Sequence, residues 1–336
     1  MNDTVTDLRQ YNNHVFDGIV GQEHPKREIS FYLDSYIDTH MVPHMGIIAP
    51  RGQGKTKTAR AIAKGLYQFD DEGKPMFRPS TANPAVLVPK RKPFLEINCS
   101  TIKNVKAFSS VLHEIQDKDI TLFFDEASEI PHDVSMALLT ILEPNSTNRT
   151  QFTHDEYTYD FDFRRQSFIF ATTESQKVFH ALMDRLERIT LQEYSSKDLA
   201  DIVKINLLDV AIDDALSLEI SSVLRGNARA AQKMSEKIRA YLKGRKIFTH
   251  PDWESLKSIL SIHPLGLNAI EIQVLRFLES NPHGTSLTAM SAKTGMSRDQ
   301  LRQDSELYLL KYNLMEITTT GRNITSAGLD YLRRLG

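Results

Sequence analysis

The sequence lacks the features that mark secreted, metal-clustered and membrane-spanning proteins. Its 336 residues include a single cysteine, Cys99, which excludes an intrachain disulfide framework and a zinc cluster built on thiolates. The N-terminal region has no apolar core of signal-peptide length, and no apolar run approaches the ~20 residues that a membrane helix needs. We therefore expect a soluble, cytoplasmic protein with no membrane partner.

The chain also lacks an excess of one charge. Lys and Arg number 41 against 43 Asp and Glu, so the formal net charge of -2 excludes a globally polycationic binder of nucleic acid or membrane. Any contact with DNA is therefore local. Hydrophobic residues make up 40% of the chain, which is enough to form hydrophobic cores. Its length of 336 residues predicts two or three domains.

The spacing of apolar residues along the sequence changes near residues 195 and 248, and we interpret these positions as domain boundaries. The first segment alternates short apolar runs with longer amphipathic stretches, a pattern typical of a parallel sheet flanked by helices. The predicted strands are 45–48, 94–97, 121–124 and 167–171, and the predicted helices are 55–67, 106–116 and 134–142. The second segment is helical in period throughout, with Ser195 or Ser196 as a helix N-cap.

The third segment predicts a winged helix-turn-helix. Helical patterns cover residues 269–279, 287–294 and 298–311, and a hairpin turned at Gly321 follows them.

Two stretches interrupt the first segment. Residues 68–93 contain five prolines and predict a surface insertion without a regular element. Residues 157–163 alternate aromatic and polar side chains and predict one arm of a hairpin, with a polar tip at 145–150.

The strongest chemical signal follows the first apolar run, where residues 46–56 read GIIAPRGQGKT. A glycine-containing loop between a strand and a helix turns backbone amides towards phosphate oxygens, while a lysine reaches the outer phosphates and a hydroxyl binds Mg²⁺. Ala49 stands where the usual pattern has glycine. The alternative is an ordinary strand-turn-helix with a capping lysine. The nucleotide-binding interpretation uses Gly52, Gln53, Gly54, Lys55, Thr56 and Lys57.

A second signal is the apolar run 121–124, which delivers Asp125 and Glu126 at the end of a strand. Asp125 would hold the hydration shell of Mg²⁺, and Glu126 would orient and deprotonate the attacking water. The alternative is a strand that ends in two solvated acids. The phosphate loop about 70 residues upstream favours the catalytic interpretation.

Together these motifs resemble those of AAA+ ATPases, and among them the RuvB-type motors of Holliday-junction branch migration. The resemblance rests also on residues 16–22, 170–173, 182–186, 192–194 and 225–230, and on 308–315 and 320–332 in the winged helix. It implies further roles by position: Ile19, Val20 and Tyr194 beside the adenine, Thr173 near the γ-phosphate, Arg185 as an arginine finger and Arg229 in the lid. Arg188 is the near rival of Arg185 for the finger.

The resemblance implies an α/β AAA+ core with a parallel sheet in residues 1–194, an all-α lid in 195–248 and a winged-helix DNA-binding domain in 249–336. It implies ATP and Mg²⁺ as cofactors and a hexameric ring of identical subunits that moves branched DNA. A junction-binding protein is the implied partner. An arginine such as Arg185 stabilises transition-state charge in its own site or in a neighbour's, and the second case requires a ring.

The winged segment is nearly neutral, with nine Lys and Arg against eight Asp and Glu between residues 253 and 336. This balance predicts weak tracking of a DNA backbone, chiefly by Arg322 at the wing tip, with no tight base readout. Three alternatives stay open: a winged helix that binds protein, a nucleotide-switched DNA-binding or loading ATPase that does not translocate, and a protein remodeller.

Overall fold

The structure, a computed structural model, describes residues 8–116, 118–142, 149–154, 157–163 and 165–335. Within these residues the chain forms two compact units. The first comprises residues up to Ile205 together with Gly226–Gln232, and the second comprises Asn206–Arg225 and the residues from Lys233 onward. The residues of the predicted lid, 195–248, are thus divided between the two units.

A five-stranded sheet forms the centre of the first unit, and every neighbouring pair of strands in it is parallel. The strands lie in the order β4 (Phe94–Asn98), β5 (Thr121–Asp125), β8 (Ser167–Thr172), β1 (Met45–Ile48) and β9 (Glu187–Thr190). The four predicted strands are confirmed. The fifth, β9, was not predicted, because this edge strand reads Glu-Arg-Ile-Thr and only Ile189 in it is buried.

Side chains alternate between two cores, one on each face of the sheet, as period-two strands require. Phe124 and Phe170 pack on one face, whereas Phe123 and Ile169 pack on the other. Because both faces are covered, the strands are apolar at nearly every position, and this is why runs of four or five apolar residues predicted them.

Helices cover both faces and confirm the predicted alternation. The three predicted helices are present as α3 (Lys55–Lys64), α4 (Val105–Ile115) and α5 (His132–Ile141). Helices α2 and α3 contribute to one core, and α4 and α5 to the other. The other helices that begin in the first unit are α1 (Arg9–Asn12), α2 (Glu23–Thr39), α6 (His180–Met183) and α7 (Ser196–Asn206), the last with Ser195 as its N-cap.

This unit also contains two antiparallel hairpins. The first corrects the prediction for residues 68–93, and the second confirms the predicted hairpin arm at 157–163 but not its predicted tip. The insertion 68–93 contains strands β2 (Phe77–Pro79) and β3 (Leu87–Pro89), so it is not irregular. Two of its five prolines, Pro79 and Pro89, end these strands, where a missing N–H donor is tolerated. The second hairpin pairs β6 (Arg149–His154) with β7 (Tyr157–Asp162), and His154 lies opposite Tyr157. The predicted tip was wrong: residues 149 and 150 begin β6, and 145–148 lie outside the described residues.

The second unit contains helices and one small hairpin. Helix α9 (Ala228–Leu242) begins in the first unit and continues into the second. The other elements are α8 (Asp214–Ser221), α10 (His250–Leu260), α11 (Ala269–Glu279), α12 (Leu287–Thr294), α13 (Arg298–Gln300), α14 (Leu307–Lys311), β10 (Met315–Thr318), β11 (Gly321–Ile324) and α15 (Ser326–Leu335). A π-helical turn, Leu301–Glu306, joins α13 to α14. The predicted winged helix is therefore confirmed.

Glycine at position 321 is required by the wing. Gly321 has φ +132°, and a Cβ there would lie 2.7 Å from the carbonyl oxygen of Thr285. This close approach lets Thr285 bridge to Arg322 and ties the wing to the start of α12. Within the described residues no single helix has the length and hydropathy of a membrane span, although the bent pair His250–Gly266 and Ala269–Glu279 passes that test together.

Candidate nucleotide site

The loop between β1 and α3 has the backbone of a phosphate cradle. Gly52 (φ +79°) and Gly54 (φ +90°) both lie in the left-handed region that favours glycine. Gly54 is the N-cap of α3, so the helix N-terminus and its unpaired amides open onto the loop. Ala49 lies outside the left-handed region and is only 2% exposed, so it carries its Cβ without backbone strain. This explains how the loop tolerates its one departure from the usual pattern.

Lys55 reaches back over the first half of the loop. Its ammonium donates hydrogen bonds to the carbonyl oxygens of Ala49 at 2.9 Å and Pro50 at 3.2 Å. The charge therefore lies over the loop, where a phosphate oxygen can replace these carbonyl acceptors. Thr56 follows in the first turn of α3 and is half-buried.

Charged residues that were predicted from separate motifs act electrostatically on Lys55. Burial is the main cause that lowers the pKa of the Lys55 ammonium. The nearby carboxylates of Asp125 and Glu126 act in the opposite direction, and the guanidinium groups of Arg229 and Arg51 lower the pKa further. The structure thus brings Lys55, the two acids and Arg229 together, and it adds Arg51, which the sequence interpretation did not assign.

The two acids lie at the carboxyl end of β5, next to the central strand β8. Glu126 has φ 58° and ψ 51°, a left-handed conformation that is uncommon for a residue with a Cβ. Its N–H donates to Oδ1 of Asp125 at 3.0 Å, and its side chain is exposed. Strained backbone of this kind concentrates at functional sites, where the fold holds a side chain in a required direction.

Thr173 follows β8, the strand that lies between β5 and β1. The hydroxyl of the preceding Thr172 is buried and accepts the N–H of Glu174 at 3.0 Å. Thr173 is half-buried at the same sheet edge as the acids. Of the two threonines it is the one available to a phosphate.

The predicted adenine side is assembled by a glutamine that the sequence interpretation missed. The Gln22 side chain donates to the Gln192 carbonyl at 2.7 Å and accepts the Gln192 N–H at 2.8 Å. This amide clamp holds the segment that leads to Tyr194, whose pKa is raised mainly by burial. Ile19 and Val20, shortly before Gln22, are half-buried. The left-handed conformation of Gln22, directly after Gly21, has no local sequence signal.

Lys57, also predicted to bind nucleotide, has a different partner. Its ammonium donates to the carbonyl oxygen of Gly18, in the segment that carries Ile19 and Val20. Burial lowers its pKa. The side chain therefore ties α3 to the predicted adenine side, and a contact of Lys57 with nucleotide stays a prediction.

The two candidate arginine fingers differ in their partners. Arg188, on β9, forms an exposed ion pair with Asp184 at 2.9 Å. Arg185 donates from Nη1 to the Ala181 carbonyl at 3.2 Å, and its Nε is buried without a hydrogen-bond partner. Among the described residues no carboxylate forms an ion pair with Arg185. Its charge is thus the less neutralised of the two, as a finger requires.

The structure corrects the predicted position of Arg322 at the wing tip, while its contact with DNA stays a prediction. It lies on β11 opposite Ile317, not at the turn, and binds the carboxylate of Glu306 with two hydrogen bonds of 2.9 and 3.2 Å. The side chains are only 16% and 5% exposed. The guanidinium is therefore committed to an ion pair inside the fold, a contact between residues 16 apart that no local pattern reveals.

Two family descriptions match this chain. "ATPase family associated with various cellular activities (AAA)" matches residues 45–194, and "RuvB C-terminal winged helix domain" matches residues 264–333. The chain is an AAA+ ATPase of the RuvB type. This RuvB-type ATPase is accordingly a nucleotide-binding enzyme that hydrolyses ATP, as its phosphate loop and paired acids predicted.

The RuvB-type ATPase is similar along nearly its whole length to proteins named Holliday junction branch migration complex subunit RuvB. The protein from Ehrlichia canis is 25% identical over 335 residues, which cover 95% of this chain and 92% of the relative. That from Ehrlichia ruminantium (strain Gardel) is 27% identical over 330 residues, 95% and 91% of the two chains. The structure of the Thermotoga maritima RuvB Holliday junction branch migration motor shares the fold, with a TM-score of 0.71, 21% identity and coverage of 94% and 96%.

Proposed function

We propose that this RuvB-type ATPase is an ATP-driven DNA translocase that acts on branched DNA of the Holliday-junction type in the cytoplasm, as a ring of identical subunits. The observation that carries the proposal is that Asp125, Glu126 and Arg229 all act electrostatically on Lys55 of the phosphate loop, in a chain that also carries a RuvB winged helix. The names of its relatives support the choice of substrate. A hexamer and a junction-binding protein partner belong to the same proposal.

The residues at the sheet edge fit a magnesium ion. Among the described residues no group of three or more His, Cys, Asp or Glu could hold a metal by itself. A magnesium ion would therefore be held by the Thr56 hydroxyl, by Asp125 and by the phosphates of ATP. Asp125 Oδ1 accepts the N–H of Glu126, so its second oxygen would be the one that helps to hold the ion. The ion, when bound, neutralises charge on the β- and γ-phosphates.

The remaining groups divide the work of hydrolysis. Lys55 contacts the outer phosphates, Glu126 orients the attacking water and takes its proton, and Thr173 positions the γ-phosphate. Arg229 contributes charge from the start of α9. Arg185 acts in the site of a neighbouring subunit, where it stabilises charge in the transition state. This last role makes hydrolysis depend on the ring.

The winged helix offers DNA a surface in which Arg322 is only one of several lining residues. A cleft of about 440 Å³ lies between the helices and the wing, lined by Leu287, Thr288, Ser297, Arg298, Asp299, Arg302 and Arg322. Arg298 and Arg302 are exposed and lie four residues apart, and neither forms an ion pair among the described residues. We propose that these two contact DNA phosphates. Weak contacts of this kind suit a ring, because several subunits share the grip while one releases.

The test compares ATP hydrolysis by the full chain alone, with linear duplex and with a synthetic four-way junction. We expect the junction to stimulate hydrolysis most, and ATP but not a nonhydrolysable analogue to support strand separation. Glu126→Gln should lower turnover at least about 100-fold and retain ATP binding, because it removes the proton acceptor only. Glu129→Gln, a neighbouring exposed acid outside the site, is the matched control. Wild-type turnover by Glu126→Gln would refute the assignment.

A second candidate, a nucleotide-switched DNA loader that does not translocate, is favoured by the commitment of Arg322 to Glu306, which removes one cation from the DNA surface. Such a protein would bind the junction in an ATP-dependent manner and separate no strands. The strand-separation assay therefore distinguishes the two candidates.

A further inference from the structure

The outer side of the phosphate loop is hydrogen-bonded to the segment that begins helix α9. These contacts all lie within the first unit. Three hydrogen bonds join the loop to this segment: Gln53 Nε2 to the Gly226 carbonyl at 2.6 Å, Asn227 Nδ2 to the Arg51 carbonyl at 3.2 Å, and the Ala228 N–H to the Gly52 carbonyl at 3.1 Å.

Asn227 uses both ends of its side-chain amide. Its Oδ1 caps α9 by accepting the N–H groups of Arg229 at 2.9 Å and Ala230 at 3.1 Å. Its Nδ2 holds the loop through the Arg51 carbonyl. Oδ1 also lies over Gly52, where a Cβ would come within 2.1 Å of it. One residue thus fixes the start of the helix and the middle of the phosphate loop together.

The direction of these bonds determines which loop groups face the phosphates. In a trans peptide the carbonyl and the following N–H point in opposite directions. Because the carbonyls of Arg51 and Gly52 are turned outward to residues 227 and 228, the N–H groups of the next residues, Gly52 and Gln53, are turned to the inner side. The first half of the loop differs, since the carbonyls of Ala49 and Pro50 accept hydrogen bonds from Lys55. Asn227 therefore acts on the half of the loop that offers amide donors.

We propose that Asn227 is a positioning residue that preorganises the phosphate loop for ATP and reports its occupancy to helix α9. The proposal rests on nucleotide binding at the proposed site. Coupling between two events is reciprocal, so a contact that favours phosphate binding is itself strengthened when phosphate binds. Helix α9 is the element that receives this signal, because residues 228–232 belong to the first unit and residues 233–242 to the second.

The test uses Asn227→Ser in the full chain. Serine is as good an N-cap as asparagine, but it is too short to donate to the Arg51 carbonyl. We expect the thermal midpoint without nucleotide to stay within a few degrees of wild type, because the cap persists. We expect binding of a nonhydrolysable ATP analogue with Mg²⁺ to weaken about 3- to 10-fold, the loss typical of one neutral hydrogen bond. KM should rise by the same factor with kcat unchanged.

Amide hydrogen exchange distinguishes a positioning role of Asn227 from a merely structural one, because only the positioning role predicts a change in how the analogue protects α9. In wild type the analogue should slow exchange of the amides at 227–232, and in Asn227→Ser this slowing should be reduced. Asn104→Ser, which changes an N-cap asparagine of α4 away from the loop, is the matched control and should behave as wild type. Equal affinity and equal protection in Asn227→Ser and wild type would overturn this proposal alone. Absence of analogue binding to wild type would overturn the proposed function as well.

Discussion

The ion pair between Arg322 and Glu306 allows a quantitative prediction about the winged helix. Replacing Arg322 by alanine leaves the carboxylate of Glu306, only 5% exposed, without its partner. Removing one member of a buried pair costs about 3–5 kcal/mol, and the partial exposure of Arg322 places this case at the lower end. For a domain of this size each kcal/mol corresponds to roughly 4 °C or more, so we expect the midpoint to fall by roughly 12 °C.

The measurement uses the single tryptophan of the chain, Trp253, which lies fully buried in α10 of the second unit. Its fluorescence during thermal unfolding reports on that unit. The matched control is Arg333→Ala, which removes an exposed pair with Asp330 and should shift the midpoint by about 2 °C or less. Equal effects of Arg322→Ala and Arg333→Ala would refute the reasoning, because they would show that the Arg322 pair is no more stabilising than a surface contact.

The same pair separates stability from DNA binding. If both partners become apolar, as in Arg322→Met with Glu306→Leu, no buried charge remains and most of the lost stability should return. DNA affinity should then also return close to wild type, because Arg298 and Arg302 are unchanged. Failure of the stable double variant to bind DNA would instead restore Arg322 as a direct DNA contact.

Three further predictions concern charges elsewhere. Burial raises the pKa of the Glu271 carboxyl above its ordinary 4.5. The free energy of unfolding of the second unit should therefore fall as pH rises from about 4.5 through the higher folded pKa. Glu271→Gln should reduce this pH dependence in urea titrations, and an unchanged pH dependence would contradict the prediction. Lys92→Met should lower the free energy of unfolding by about 3 kcal/mol, because it leaves the mostly buried carboxylate of Asp119 without its partner. A loss below about 1 kcal/mol in a denaturant titration would contradict this prediction. Arg188→Ala should retain nearly full ATPase turnover, whereas a loss as large as that of Arg185→Ala would reassign the finger.

Local sequence patterns predicted the parts of the fold whose cause is local. The buried strands of the sheet were visible as apolar runs because both of their faces are covered, and the phosphate loop was visible because glycines at 52 and 54 precede a helix. Strand β9 was not predicted because it lies at the sheet edge and buries only Ile189, so it contains no apolar run. Strands β2 and β3 of the insertion 68–93 were not predicted, because in the sequence prolines at strand ends look the same as prolines in loops.

The parts of the site that were missed depend on contacts between distant residues. Gln22 and Gln192 are 170 positions apart, and Asn227 reaches the loop from 176 positions away. The pairing of Arg322 with Glu306 likewise arises only when the wing folds against the π-helical turn. Sequence motifs identify groups that contact a ligand, whereas the groups that position them are fixed by tertiary structure.

The central claim is that ATP held by the phosphate loop is hydrolysed across a contact between identical subunits. The most direct test mixes two variants, Glu126→Gln, which keeps the arginine finger, and Arg185→Ala, which keeps the proton acceptor. Each alone should be nearly inactive, with a loss on the order of 10³-fold for the finger. Mixed in equal amounts they should recover a substantial fraction of wild-type hydrolysis, because some sites combine an intact Glu126 with an Arg185 from the neighbour. Activity that stays at the level of the separate variants at every mixing ratio, or wild-type turnover by Arg185→Ala alone, would contradict the account.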